Sequence, residues 1–194
     1  MRLTLTLIIF LFSIHSSAQN YYTDTLPRFN YQNCISFELK TGTLGAGFLY
    51  TRHFLTGLGY HNFKSISLGS HIAQYSFYDQ DYKTTTLRAI DFDIRLEQNW
   101  RPVLSRLIYF TFHVGYSPLI PLEKHPSKVF DDYVNGGYMG VALQLWVKRI
   151  NIGFYGGASV YEARQDLFFS EHVYARFYPL LRLKLGYSFG ERED

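Results

Sequence analysis

The chain has 194 residues, a formal net charge of +3 and one cysteine, Cys34. A charge this small gives no reason to expect a nucleic-acid partner, and a single cysteine excludes an internal disulfide bond. Aromatic residues make up 19% of the sequence, yet after residue 18 no apolar stretch approaches the about 20 residues that a membrane-spanning helix needs.

Residues 1–18 are predicted to form a cleaved signal peptide. A positive start at Arg2 is followed by an apolar run from Leu3 to Ile14, and the small residues up to Ala18 favour cleavage before Gln19. The run is too short to span a bilayer. Residues 19–32 are then expected to form a short N-terminal extension.

Alternation of apolar and polar residues predicts β-strands along the remainder of the chain. In the segment 88–98, apolar side chains occupy every second position and mostly charged side chains lie between them. A helix would mix these two sets. The predicted strands, with boundaries good to a few residues, are 34–42, 45–55, 63–78, 85–98, 106–117, 137–148, 150–160 and 175–189.

This pattern predicts an all-β fold, an antiparallel up-and-down closed β-barrel of about eight strands that is transmembrane. The barrel domain is expected at 33–189, followed by a polar C-terminal tail at 190–194. Long links at 117–136 and 161–174 alternate with short ones, which is typical of a membrane barrel with its long loops outside. Closure also pairs every backbone polar group within lipid.

The apolar faces are predicted to contact lipid. The apolar positions from Met139 to Val147, at ~3.3 Å per residue and ~40° tilt, give a band about 23 Å tall, close to the ~25 Å band of membrane barrels. Aromatic side chains near strand ends, such as Tyr75, Tyr138, Tyr161 and Tyr187, are expected to form interfacial girdles. The side chains predicted to face lipid are Ile90, Phe92, Ile94, Leu96, Phe110, Phe112, Val141, Leu143, Leu145, Leu181, Leu183 and Leu185.

The opposite faces are predicted to form a polar network in the lumen. They carry charges of both signs, which must pair in a sealed interior, and glycines that leave room for long side chains. The predicted network comprises Glu38, Lys40, His71, Asp91, Asp93, Arg95, Glu97, His113, Gln144, Arg182 and Lys184. Pro179 cannot donate to a strand ladder, so the last spanning segment is expected to start at Leu180, with Pro179 above the membrane or at a bulge.

The signal sequence, the amphipathic strands and a last strand that ends on the aromatic Phe189 together resemble the small outer-membrane β-barrel proteins of the OmpA/OmpX-like type. The resemblance covers residues 33–189. It implies location in the outer membrane of a Gram-negative-type bacterium, with membrane lipid as a partner. The chain departs from this pattern at Gly190–Asp194, because in the family the terminal aromatic residue usually closes the chain.

A structural or surface-interaction role through the external loops is the first functional hypothesis. The loops 117–136 and 161–174 contain the aromatic residues Phe130, Tyr133, Phe168 and Phe169, which could anchor a surface partner. A conducting pore is disfavoured because eight strands leave no aqueous channel.

Two other functions stay open. Ser170, Glu171 and His172 have the side chains of a lipid-modifying outer-membrane enzyme, although no catalytic motif surrounds them. Ser70 and His71 are adjacent and lie on opposite faces of a strand, so their side chains cannot form the hydrogen bond of a catalytic pair directly. A soluble periplasmic lipocalin-like binder of an apolar ligand would show the same alternation with its apolar face inward. No catalytic residue, metal site or cofactor is predicted, since no His or Cys pair has ligand spacing.

Overall fold

Antiparallel strands form nearly all of the structure, a computed structural model that describes residues 31–41, 44–55, 62–78, 84–101, 107–122, 134–167 and 170–191. In chain order the strands are β1 (Tyr31–Lys40), β2 (Gly45–Leu55), β3 (Asn62–Tyr78), β4 (Thr84–Trp100), β5 (Ile108–Tyr116), β6 (Leu119–Pro121), β7 (Asn135–Val147), β8 (Ile150–Leu167) and β9 (Ser170–Glu191). Nowhere in these ranges is there a helix with the length and apolarity to cross a membrane. The predicted signal peptide at 1–18 lies outside the described residues, as do Phe130, Tyr133, Phe168 and Phe169.

Strands β5 and β6 are two parts of one barrel strand. Both pair with β4 in one continuous register, which is interrupted only at Ser117 and Pro118. Pro118 has no N–H to contribute to the ladder, but its carbonyl oxygen accepts a hydrogen bond from the Phe92 N–H at 3.1 Å. The sheet therefore has eight barrel strands, as predicted, and it closes because β1 pairs with both β2 and β9.

The registers fix the geometry of closure. One circuit of paired residues runs through Asn33, Arg52, Ile66, Leu96, Val114, Met139, Ala158 and Pro179. On the last pair of strands Arg182 is the partner of Lys40. Pro179 comes three positions before Arg182, so in this antiparallel register it is level with position 43 of the chain. The circuit therefore returns to the first strand ten positions above Asn33. A climb of ten residues at ~3.3 Å around eight strands spaced ~4.8 Å apart gives a tilt of about 41°. Membrane barrels have tilts of roughly 35–45°.

The outer wall of the barrel is apolar. Val141 is 65% exposed and Leu181 is 55% exposed, whereas the intervening side chains on their strands point inward. All twelve side chains predicted to face lipid lie on this outer wall and are exposed or half-buried. The alternative of a soluble lipocalin-like binder expects the apolar face inside, whereas the described strands turn this face outward and bury charged and polar side chains. The wall has the polarity of a membrane-spanning barrel.

The two long predicted loops are shorter than expected. Strand β6 continues the barrel wall to Pro121, and Leu119 bridges to Val134, so the link predicted at 117–136 begins and ends inside strand structure. The loop predicted at 161–174 is wrong as well, because β8 and β9 stay paired up to Leu167 and Ser170. Polar residues outside lipid need no apolar alternation to pair, so periodicity does not reveal these extensions.

Pro179 lies within an unbroken ladder rather than at a bulge, opposite Ala158. Residues two apart on a strand point their amide groups to the same side, and Thr41 N–H donates to the Leu181 carbonyl at 3.0 Å. Pro179 therefore turns its amide edge toward β1, beyond the point where β1 ends at Lys40. The missing N–H costs no hydrogen bond to a β1 residue.

The two ends of the barrel differ. We call the end of the barrel that contains Tyr31 and Glu191 the lower end. It has the tight β7–β8 turn, in which Lys148 adopts a φ of 53°. At the upper end β3 and β4 pair out to Tyr78 and Thr84. The barrel strands begin two residues before position 33 and finish two residues after position 189.

Candidate functional site

The lumen is filled by three layers of side chains. An upper aromatic layer consists of Ala73, Tyr75, Leu87, Ala89, Leu119, Val134, Tyr161 and Tyr178. A lower aromatic layer consists of Cys34, Phe63, Tyr109 and Trp146. Between them lies the polar layer, which is the candidate functional site. Every side chain predicted for the lumen network is buried there, and the most exposed of them, Lys40, is 4% exposed.

Arg95 is the centre of the polar layer. Its two terminal nitrogens donate to the two carboxylate oxygens of Glu38 at 2.7 and 2.8 Å. The same guanidinium reaches Asp93 at 3.0 Å and Glu97 at 3.5 Å. A planar guanidinium suits this arrangement, because its fixed N–H directions match two carboxylate oxygens at once.

Arg182 occupies the other side of the same carboxylates. Its Nη1 donates to Asp93 and lies 3.6 Å from Glu38. The Tyr138 ring lies 4.2 Å from the Arg182 guanidinium carbon. The Tyr138 hydroxyl donates to Asp93 and accepts a hydrogen bond from Arg95 Nε at 3.0 Å. Tyr138 therefore joins both arginines to one carboxylate, and its ring face stabilises the cation.

Asp91 connects the polar layer to the upper aromatic layer. It forms an ion pair with Lys40 and accepts hydrogen bonds from the hydroxyls of Ser117 and Tyr75, the latter at 2.6 Å. Tyr75 in turn packs edge-on against Tyr161, with ring centroids 5.1 Å apart. The charged and aromatic layers therefore form one packed unit.

Uncharged groups continue the network downward. Gln144 Nε2 donates to Asn99 at 2.9 Å and to Thr111 at 2.8 Å, and Asn151 donates to Gln144 at 3.0 Å. Asn99 also donates to the Ser65 hydroxyl at 3.1 Å. These bonds satisfy polar groups that would be costly to bury alone.

Charges in the polar layer balance. Its carboxylates are Glu38, Asp91, Asp93 and Glu97, and its cations are Lys40, Arg95, Arg182 and Lys184. Glu97 also accepts a hydrogen bond from the Tyr155 hydroxyl at 3.1 Å, and Lys184 Nζ lies 5.7 Å from the Tyr155 ring centroid. Four negative and four positive groups leave the layer with no net charge, which limits the cost of placing ions inside the barrel.

Sequence reasoning missed the tyrosines of this network. Tyr75, Tyr138 and Tyr161 were expected in girdles at the membrane surface, and all three point into the lumen. Of the four named for the girdles, Tyr187 lies on the outer wall, where it is 50% exposed. The alternation of the strand could have predicted this position for Tyr138, because Tyr138 and Gln144 are an even number of positions apart on β7 and so point to the same side of the wall. Tyr hydroxyls bring hydrogen-bond donors to a buried carboxylate without adding charge.

Glu38, His71 and Asp93 bring three metal-ligand side chains together in the lumen, with one ligand atom from each lying within 4.8 Å of the others. Both carboxylates are already bound by arginines, and His71 Nε2 lies 3.4 Å from Glu38. A cation placed among these atoms would face two guanidinium groups at short range. The arrangement fits an ion-pair network and does not fit a metal centre.

The side chains of the polar layer are closely packed, so we expect an added methyl group there to lower the free energy of unfolding. A Cβ on Gly115 would overlap the ring and hydroxyl of Tyr138, whereas a Cβ on Gly137 would have as its nearest contact the Gly115 carbonyl oxygen at 3.8 Å. We expect Gly115→Ala to lower the free energy of unfolding by about 1–3 kcal/mol. Gly137→Ala should leave it nearly unchanged. Urea titrations in lipid vesicles would measure both, and equal effects would contradict this account of the packing.

The candidate catalytic side chains are not brought together in the described lumen. Ser70 is exposed on the outer wall and His71 is buried inside, as expected for neighbours on a strand. Ser170 and His172 belong to β9, where they pair with Leu167 and Gln165. The lipid-modifying activity motivated by these residues remains a prediction.

Comparison with known proteins finds a resemblance in fold. No protein-family model and no curated protein matches the sequence. Among solved structures, the outer membrane protein Ail of Yersinia pestis, in a phospholipid bilayer nanodisc, is 13% identical over 82% of this chain and 99% of that chain, with a TM-score of 0.41. The outer membrane protein AlkL in DMPC lipid bilayers is 10% identical over 91% of this chain and 98% of that chain, with a TM-score of 0.48.

Proposed function

We propose that the protein resides in the outer membrane, with its lower end in the periplasm, and that it presents its upper hairpins to surface partners on a sealed barrel. The single observation that carries the proposal is the filled lumen. A charge-balanced polar layer lies between two aromatic layers, so the interior is packed rather than open. A barrel of this kind serves as a scaffold, and what it can contact is set by its ends.

The upper hairpins offer the surface for such contacts. Beyond the residues paired at the level of Val160 and Phe177, β8 and β9 continue to Leu167 and Ser170. Seven residues at ~3.3 Å place the tip of this hairpin about 23 Å further along the strands. Paired strands hold such a surface in a defined position, which a loop without secondary structure would not do.

Because the lumen is filled, we expect the barrel not to conduct ions. The folded protein in a planar lipid bilayer should show no stepwise conductance, since buried side chains of the two aromatic layers and the polar layer occupy the described lumen. Folding of the same preparation is checked on a gel, where a membrane barrel migrates differently before and after boiling. Reproducible ion-conducting steps from the folded, unboiled protein would reject a sealed scaffold.

Shortening the β8–β9 hairpin tests the surface role. Joining Tyr161 directly to its partner Arg176 through an Asn-Gly turn would remove the extension while keeping the register of the barrel. We expect the variant to fold and to lose adhesion of cells to surfaces or to one another. A matched control is Lys148→Asn in the lower turn, because Asn tolerates the positive φ there. Adhesion that is unchanged after shortening would overturn the proposal.

A further inference from the structure

A cluster of hydrogen-bond donors lies on the outer wall near its lower end. Asn33 on β1 and Arg52 on β2 are directly paired across the sheet. Arg52 Nη1 donates to the Asn33 side-chain oxygen at 2.8 Å, and the Tyr50 hydroxyl donates to the same oxygen at 2.6 Å. Arg52 and Tyr50 are exposed, and Tyr50 is 43% exposed. The guanidinium is thus held against the wall, and among the described residues its remaining N–H groups have no protein acceptor.

The bonding pattern leaves the cluster with donors and almost no free acceptor. The amide oxygen of Asn33 has two lone pairs, and the two contacts from Tyr50 and Arg52 use both. The amide nitrogen of Asn33 and the remaining nitrogens of Arg52 can only donate. In the described part of the chain Arg52 has no carboxylate partner, and the one acidic side chain described on the outer wall, Glu191, pairs with Arg149 at 2.9 Å. The cluster is therefore complementary to an anion.

The cluster lies near the lower end of the outer wall, from which a long arginine side chain can reach the lipid phosphates. Asn33 lies four positions before Phe37, whose neighbour Glu38 belongs to the polar layer. At the derived tilt each residue climbs ~2.5 Å, so Asn33 lies about 10 Å below Phe37 and about 5 Å above the strand end at Tyr31. The aromatic side chain of Phe189 is directly opposite Asn33. Lys64 on β3 adds a second cation near the same level, next to Ile66, the partner of Arg52.

We propose that the Asn33–Tyr50–Arg52 cluster is a binding site for the phosphate of an anionic phospholipid in the leaflet that faces the lower end of the barrel. A guanidinium with two or more free N–H groups binds phosphate oxygens in a fixed geometry. A zwitterionic headgroup such as choline also carries an ammonium cation, which the nearby Arg52 guanidinium would repel. Anionic headgroups without an ammonium, such as phosphatidylglycerol, are therefore favoured. The proposal depends on the apolar wall facing lipid and is independent of any role for the hairpins.

Native mass spectrometry of the detergent-solubilised full chain, titrated with phosphatidylglycerol or phosphatidylcholine, tests the site. The unaltered protein should retain phosphatidylglycerol preferentially. Arg52→Gln should weaken its binding about fivefold, the effect expected for one cation near an anionic surface. The matched control Arg149→Gln removes another cation of the lower end, one that is already paired with Glu191, and should leave binding unchanged. Equal losses in both variants, or equal retention of the two lipids, would overturn the proposal.

A second variant keeps the test decisive. Asn33→Asp preserves the size of the side chain and the Arg52 charge but adds a carboxylate beside it, which should abolish the preference for phosphatidylglycerol. Heat-dependent migration on a gel verifies that each variant is folded and so distinguishes lost binding from a folding defect. Retained preference in folded Asn33→Asp would reject the site.

Discussion

Replacing Leu143 with arginine should lower the free energy of unfolding of the barrel in lipid by about 2–4 kcal/mol. Leu143 is 43% exposed on the outer wall and lies between Phe110 and Phe154 on the neighbouring strands. The substituted guanidinium would enter the apolar band, and no acidic side chain is described on this part of the wall. Its charge would have to reach the interface by extension of the side chain or by a local thinning of the bilayer.

Two control variants separate charge from lost packing. Leu143→Ala removes the same contacts without adding charge and should be much milder. Thr86→Arg places arginine on the outward face of β4 above the apolar band, where it should have little effect. Urea unfolding of all three in phospholipid vesicles measures the differences. If Leu143→Arg were no worse than Thr86→Arg, the outer wall would not lie in hydrocarbon.

Removing Arg95 should be the most damaging single change in the polar layer. Arg95→Met should cost about 3–5 kcal/mol, because it leaves Glu38 without its bidentate partner and weakens the compensation of Asp93 and Glu97. Methionine keeps most of the volume, so the loss reports charge and hydrogen bonding more than a cavity. Unfolding in lipid vesicles would again provide the measurement.

A double-mutant cycle isolates the Arg95–Glu38 pair. Glu38→Gln leaves Arg95 with Asp93 and Glu97, whereas the combined Glu38→Gln and Arg95→Met variant removes a charge of each sign. The double variant should therefore be less destabilised than the sum of the two single changes by about 1–3 kcal/mol. Strict additivity would mean that the two side chains do not stabilise one another, contrary to the 2.7 and 2.8 Å contacts between them.

Sequence periodicity assigned one face of most strands to the lumen and the other to lipid, and the side chains named for each of these two faces lie on that side of the wall. A strand alternates its side chains with a period of two, so one reliable position, such as Arg95, fixes the parity of the rest of β4. Which lumen groups meet could not be predicted in the same way. Arg95 and Glu38 are 57 residues apart in sequence, and their contact depends on the offset of ten residues accumulated around the barrel.

The errors have related physical causes. The position of Tyr138 near a strand end predicts a girdle residue, because aromatic rings there often lie at the membrane surface, whereas in the structure its hydroxyl donates to the buried carboxylate of Asp93. The sequence predicts a loop at 161–174, because the residues there show no apolar alternation. Above the bilayer both faces of a hairpin meet water, so the ladder of β8 and β9 persists without that signal.

The reactivity of the Cys34 thiol should report when the barrel closes during assembly. It lies opposite Ser188, at the seam where the first and last barrel strands meet, and in the lower aromatic layer it has no exposed surface. Because β1 and β9 come together only when the ring of strands is complete, the thiol should stay reactive toward small alkylating reagents in every open form. Protection of the one sulfhydryl in the chain would then mark the moment of closure separately from earlier adsorption to lipid.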